Sequence, residues 1–166
     1  MKTLWTPWRV EHVLGTAAQR TGCIFEPTGH DPADKKQLLL YRDNQVVVLL
    51  NRYPYTNGHL LIAPIRHIAC LTDLSLEEIT SVMAMIQKAT RLLNKHLKPE
   101  GLNIGCNVGT IAGAGIADHL HFHIVPRWNG DHNFISVLAD IRTIPEHIEA
   151  TYDRLAPDFL ALNTSK

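Results

Sequence analysis

Cysteine is scarce in this 166-residue chain, an excess of charge is missing, and no apolar run is long. The three cysteines, Cys23, Cys70 and Cys106, are odd in number and far apart. That spacing excludes a paired disulfide framework and reads as reduced thiols of a cytoplasmic protein. Sixteen Lys plus Arg balance sixteen Asp plus Glu, so there is no bulk field to grip a nucleic-acid backbone or an anionic membrane. Any anionic partner has to be small and held locally. A membrane helix needs about 20 consecutive apolar residues, which the chain does not offer. Met1 to Val10 holds two tryptophans and a proline where a secretion signal would carry an apolar core. Charged residues make up 19% of the chain, below the usual quarter or so, and against that background ten histidines stand out.

The length suits one domain, 1–166, able to bury close to 70% of its extended surface without a staple. Glycines and prolines between Gly15 and Pro32 interrupt any period, so 1–40 reads as an N-terminal arm and 45–135 as the core. Gln45-Val-Val-Val-Leu-Leu-Asn51 and His59-Leu-Leu-Ile-Ala-Pro-Ile65 read as strands of a hairpin joined by Arg52 to Gly58. Ser75-Leu-Glu-Glu78 forms a capping box, and Ile79, Val82, Met83, Ile86, Ala89, Leu92 and Leu93 follow at helical spacing. Leu102 to Val108 alternates as a strand, and so does His119-Leu-His-Phe-His-Ile-Val125, closed by Pro126. A last helix starts at Pro145 with Ile148, Tyr152 and Leu155 inward; its apolar side carries to about Pro157 and the segment is set at 145–163. Short connections within both strand pairs predict antiparallel pairing and an α+β layer structure.

Chemistry concentrates in the second strand pair. Alternate residues of a strand share a face at about 6.6 Å per step, so His119, His121 and His123 form a row of imidazoles backed by apolar Leu120, Phe122 and Ile124. The outer two would stand roughly 13 Å apart, too far for one ion, so at most two of the three could share a metal. Phosphoryl chemistry suits the row better. A neutral imidazole is a nucleophile near pH 7, a protonated neighbour can donate to phosphate oxygens or the leaving group, and the middle ring alone has an imidazole on each side. Gly109, Gly113 and Gly115 in the preceding loop allow positive φ and bare amides, the makings of an anion nest.

His119 to Val125 resembles the signature of the histidine triad family, nucleotidyl hydrolases and transferases that pass through a nucleotidyl-histidine intermediate. The likeness extends to Asn51–His67, to Asn107-Val-Gly109, to Gly113–Asp131 and to Leu4-Trp-Thr-Pro-Trp-Arg9, and is greatest to the bacterial diadenosine tetraphosphate phosphorylase and hydrolase branch. The resemblance implies an antiparallel five-stranded sheet with one long and one C-terminal helix, the sheet extended across a homodimer. It makes His121 the nucleophile, sets His123 at the phosphate and leaving oxygen, and has His119 hold the strand. His59 would lie beside the triad, Asn51 at the ribose hydroxyls, Asn107 in the ribose-phosphate region, and Gly113, Ala114 and Gly115 at the phosphate, where many relatives carry a glutamine. The acceptor would be inorganic phosphate or water. No cofactor is required for the covalent step, although magnesium could accompany the substrate. Zinc is a weaker alternative, because relatives that bind it carry Cys-x-x-Cys where this chain has Cys23-Ile-Phe-Glu26, with His67 and His119 completing the set. A phosphoramidase and a nucleotide-binding signalling module with little turnover are the competing readings. Trp5, Trp8 and Trp128 read as packing, with base stacking the alternative.

Overall fold

A computed structural model describes residues 22–27, 29, 31–131 and 144–164. Trp5, Trp8, most of the expected arm and the end of the expected core, 132–135, lie outside the described residues. Five strands, β1 (Leu39–Arg42), β2 (Val46–Leu50), β3 (Leu60–Pro64), β4 (Gly101–Cys106) and β5 (Phe122–Arg127), form one sheet in the order β1-β2-β3-β5-β4. Every neighbouring pair is antiparallel. Helix α1 (Leu76–Leu97) connects β3 to β4, and α2 (Ile148–Thr164) ends the described chain.

The apolar run of β2 is buried at all five positions because the sheet is covered on both faces. Val46, Val48 and Leu50 face the helices together with Leu60 and Ile62 of β3 and Ile124 of β5. Val47 and Leu49 face the other way, with Leu61 and Ala63, onto Phe25. Strand periodicity thus divides one hydrophobic run between two cores. Phe25 is fully buried, so part of the segment read as an arm packs as core, and β1 begins ahead of the Gln45 boundary.

The Ser75 hydroxyl accepts from the Glu78 amide at 3.2 Å, and the Glu78 carboxylate accepts from the Ser75 amide at 2.8 Å. The expected capping box therefore starts α1, and Lys98 closes it at φ 46°. Its inward stripe is Val82, Met85, Ile86, Ala89 and Leu93. Ile79 and Met83, expected inward, are 39% and 51% exposed, because they lie at the edges of the arc the sheet covers. Helix α2 begins at Ile148 and runs through Pro157, where the apolar pattern had suggested a stop. Pro157 sits on the solvent side while Leu155, Ala156 and Phe159 stay buried, so the carbonyl it leaves unpaired faces water. The Tyr152 hydroxyl donates to the Leu39 carbonyl at 2.9 Å and ties α2 to β1.

Strand β5 differs from expectation at both ends. It starts at Phe122, so His119 to His121 approach the sheet without belonging to it, and it continues through Pro126 to Arg127. Strand β3 pairs with β5 only as far as Ile124, so beyond that point one side of β5 carries no ladder for a missing N–H to interrupt. Strand β4 pairs with β5 alone and is largely exposed, Ile104 to 47%.

Candidate active site

The histidine segment is hung from β3. Leu120 N–H donates to the Ile68 carbonyl at 2.6 Å, and His119 Nε2–H donates to the Pro64 carbonyl at 2.9 Å. With Nε2 protonated, His119 Nδ1 holds a lone pair, which the Cys23 thiol meets at 3.2 Å. The His119 ring packs on His67 and Phe25, with centroids 4.7 and 5.0 Å away. Phe25 also lies 4.9 Å from the His121 ring, whose other neighbour is His123 at 5.0 Å. The three imidazoles are therefore not one continuous strand row. His121 has an imidazole on one side and a phenyl ring on the other, because the backbone bends before β5 starts and turns His119 back toward Cys23.

Backbone groups set the tautomers. His121 Nδ1 is 2.8 Å from the His119 carbonyl, which can only accept, so Nδ1 carries the proton and Nε2 keeps its lone pair. At His59 the polarity is reversed. Tyr55 N–H, which can only donate, points at His59 Nδ1 at 3.1 Å, and the Asn51 amide adds a second contact at 3.2 Å. His59 must then protonate Nε2, which donates to His123 Nδ1 at 2.9 Å. His123 is left with its proton on Nε2. One backbone amide thus fixes two rings, and the site presents a bare nitrogen on His121 next to an N–H on His123. Burial, and secondarily the neighbouring His121, push His123 down to about 4, so its ring is uncharged at neutral pH. His119 is displaced the same way by burial, opposed by its bond to Pro64.

The remaining expected residues divide. Asn51 uses its side chain locally, donating to His59 and accepting from Tyr53 N–H at 3.0 Å, so it orients the His59 ring from within a turn. Asn107 lines a cleft of about 410 Å³ beside His123 and donates to the Gly113 carbonyl at 3.2 Å. Gly109 and Gly113 adopt φ of 85° and 89°, whereas Gly115 does not use a positive φ. The Gly113 and Ala114 amides are engaged by the Thr110 and Gly109 carbonyls. Two of the three amides expected at the phosphate are thus engaged within the loop itself, and among the three only the Gly115 amide stands outside those bonds. The cleft adds residues that sequence reasoning missed, Tyr55, Asn103 and Arg127. Arg127 is four residues beyond His123 on the same face of β5, a relation visible in the sequence once the strand is allowed to continue past Pro126.

A second cluster lies behind His119. One ligand atom each from Cys23, His67 and His119 falls within 4.8 Å of the others. These are the nitrogen and sulfur donors zinc favours, and His119 already donates its far N–H to a carbonyl, as metal-ligating imidazoles do. The donor set fits. Glu26, which stands where zinc-binding relatives carry their second cysteine, accepts from His67 Nδ1–H at 2.9 Å and orients that ring. A zinc ion here would be structural, joining the Phe25 segment to the loop after β3. Burial raises the Cys23 thiol.

An antiparallel five-stranded sheet whose fifth strand is entered through alternating histidines, with His121 Nδ1 turned to a backbone carbonyl and His123 Nδ1 to His59, is the arrangement expected of the histidine triad class. The chain belongs to the HIT family, whose HIT domain model matches residues 33–130. A Mycobacterium tuberculosis protein named AP-4-A phosphorylase is 36% identical over 165 residues, spanning 96% of this chain and 85% of the relative. The asymmetrical bis(5'-nucleosyl)-tetraphosphatase of Schizosaccharomyces pombe is 31% identical over 56% of this chain and 50% of its own length. Among solved structures, a zinc-bound histidine triad family protein from Mycobacterium smegmatis superposes with a TM-score of 0.60 at 29% identity, covering 78% of this chain and 88% of that one. The expected family and fold class are those observed.

Proposed function

We propose that the protein is a nucleotidyl transferase or hydrolase that cleaves diadenosine polyphosphates through a nucleotidyl adduct on His121. The observation that carries this reading is the bond from His121 Nδ1–H to the His119 carbonyl, which leaves Nε2 as the nucleophile. His121 Nε2 attacks the α-phosphorus; the N–P bond forms as the bond to the bridging oxygen breaks, and the electron pair leaves on the departing polyphosphate. His123 Nε2–H hydrogen-bonds that oxygen, held in orientation by His59. Because His123 is neutral, it stabilises departing charge without having to give up its proton. A terminal phosphate ionises near pH 6 and can leave as the anion. In the second step inorganic phosphate, or water releasing one proton to the solvent, attacks phosphorus; the N–P bond breaks and its electron pair returns to Nε2. His119 would act through position, anchoring the segment on β3, and Asn107 and the Gly115 amide would face the nucleotide.

Two further parts of the reading concern assembly and place. A second copy would pair along β4, whose outer edge has no partner among the described residues and which is flanked by Val108, 45% exposed. A cytoplasmic setting is supported by three free thiols. No described helix is long and apolar enough to cross a membrane.

Incubation with diadenosine tetraphosphate, with and without inorganic phosphate, tests the substrate and the acceptor. ADP formed only with added phosphate means phosphorolysis, and AMP formed without it means hydrolysis. Rapid quenching should trap an acid-labile adduct that His121→Ala abolishes together with turnover. Substantial turnover by a folded His121→Ala protein would remove His121 from the nucleophile's role.

A further inference from the structure

We propose that the cleft along β5 from His123 to Arg127 is the subsite for the leaving half of the substrate, and that Arg127 grips its distal phosphates and so sets the preferred polyphosphate length. This rests on the reading of the substrate given above. In-line displacement puts the leaving oxygen on the side of phosphorus away from His121. His123 is the next ring along the same face, and the cleft opens there, continuing past Asn107 along Tyr55, Gly105, Val125 and Arg127. Val125 and Arg127 follow His123 on one face of the strand, which places the Arg127 backbone about 13 Å beyond that of His123. Among the described residues the only guanidinium in the cleft lining is therefore at its far end, where the tail of a chain anchored at His121 would arrive.

Arg127 is held ready rather than free to wander. Its Nε–H and Nη2–H donate to Asp131 at 2.5 and 3.0 Å, and its Nη1–H donates to Asn103 Oδ1 at 2.9 Å. These bonds use three of the five guanidinium N–H groups and leave two for an incoming acceptor. Asp131 neutralises one edge, so the subsite would offer directed hydrogen bonds more than an open positive field. That favours a tetrahedral phosphate oxygen at a defined distance over any passing anion. A guanidinium fixed in advance loses little rotamer freedom on binding.

The test is a ratio. kcat/KM for diadenosine tetraphosphate is divided by kcat/KM for the p-nitrophenyl ester of AMP, whose leaving group has no phosphate to reach Arg127. Both rates come from the same active sites, so a partly misfolded preparation leaves the ratio unchanged. Charge-assisted hydrogen bonds of this kind predict a ratio about 10- to 100-fold lower in Arg127→Gln. Arg127→Lys, which keeps the charge and the Asp131 partner but loses the fork, should fall in between, with the preference among tri-, tetra- and pentaphosphate flattened. A ratio within about threefold of wild type in Arg127→Gln, with wild type active on both substrates, overturns the subsite alone. A wild type active on the ester but not on diadenosine tetraphosphate overturns the substrate reading and the subsite with it.

Discussion

Acid should destabilise this protein through His123 in a way one substitution can isolate. The folded ring titrates at about 4 where an ordinary histidine titrates at 6.5, burial being the larger cause and His121 the smaller. Between those values the unfolded chain binds a proton that the folded chain refuses, so unfolding takes up protons and stability rises with pH. The contribution is complete above the unfolded value and is lost as pH falls toward the folded one. The gap from 6.5 to about 4, at about 1.36 kcal/mol per pH unit, amounts to about 3 kcal/mol, a large part of the 5–15 kcal/mol typical of a domain. His119 is displaced in the same direction and adds to the loss. Urea unfolding followed by circular dichroism at pH 7, 6, 5 and 4.5, on wild type and on His123→Asn, separates these. Carboxylates and His119 titrate in both proteins, so the difference between the two curves reports His123. Wild type should lose stability more steeply below pH 6.5, with the curves converging toward acid. Parallel curves, or an NMR titration of His123 with a midpoint at or above 6.5, would refute both the assigned burial and the neutral ring that the mechanism uses.

Two other outcomes test the framework around the site. Gly58, at φ 74°, precedes His59, and an added Cβ would come within 2.3 Å of Leu97 Cδ1. Gly58→Ala should therefore lose about 2 kcal/mol in urea unfolding, from left-handed strain together with displacement of the Leu97 side chain; an unchanged midpoint would mean the turn relaxes freely. Chelator-treated protein titrated with zinc should show a higher Tm and bind about one ion per chain, and Cys23→Ala should abolish both effects. A zinc response that survives Cys23→Ala would place the ion elsewhere.

Local rules carried most of the fold. The Ser75–Glu78 box and the β2–β3 hairpin depend on neighbours in sequence, and their boundaries differ from expectation by a residue or so. Strand β1 was harder to see because Leu38 to Tyr41 is a short apolar run whose partner, β2, reads equally well as part of a hairpin with β3. Phe25 was invisible for a different reason: its burial depends on Leu39, Val47, Leu49, Leu61 and Ala63, which come from three strands and leave no periodic trace around position 25. The site shows the same division. Alternation placed His121 beside His123, but the bend that takes His119 away depends on Ile68 and Pro64, more than 50 residues distant, accepting from the histidine segment. The tautomers were less legible still. They follow from the Tyr55 amide and the His119 carbonyl, groups every residue possesses, and only their directions in space decide which imidazole nitrogen is bare. Side-chain identity could therefore propose a nucleophile, whereas the choice of which His121 nitrogen faces the carbonyl and which is left bare belongs to the backbone.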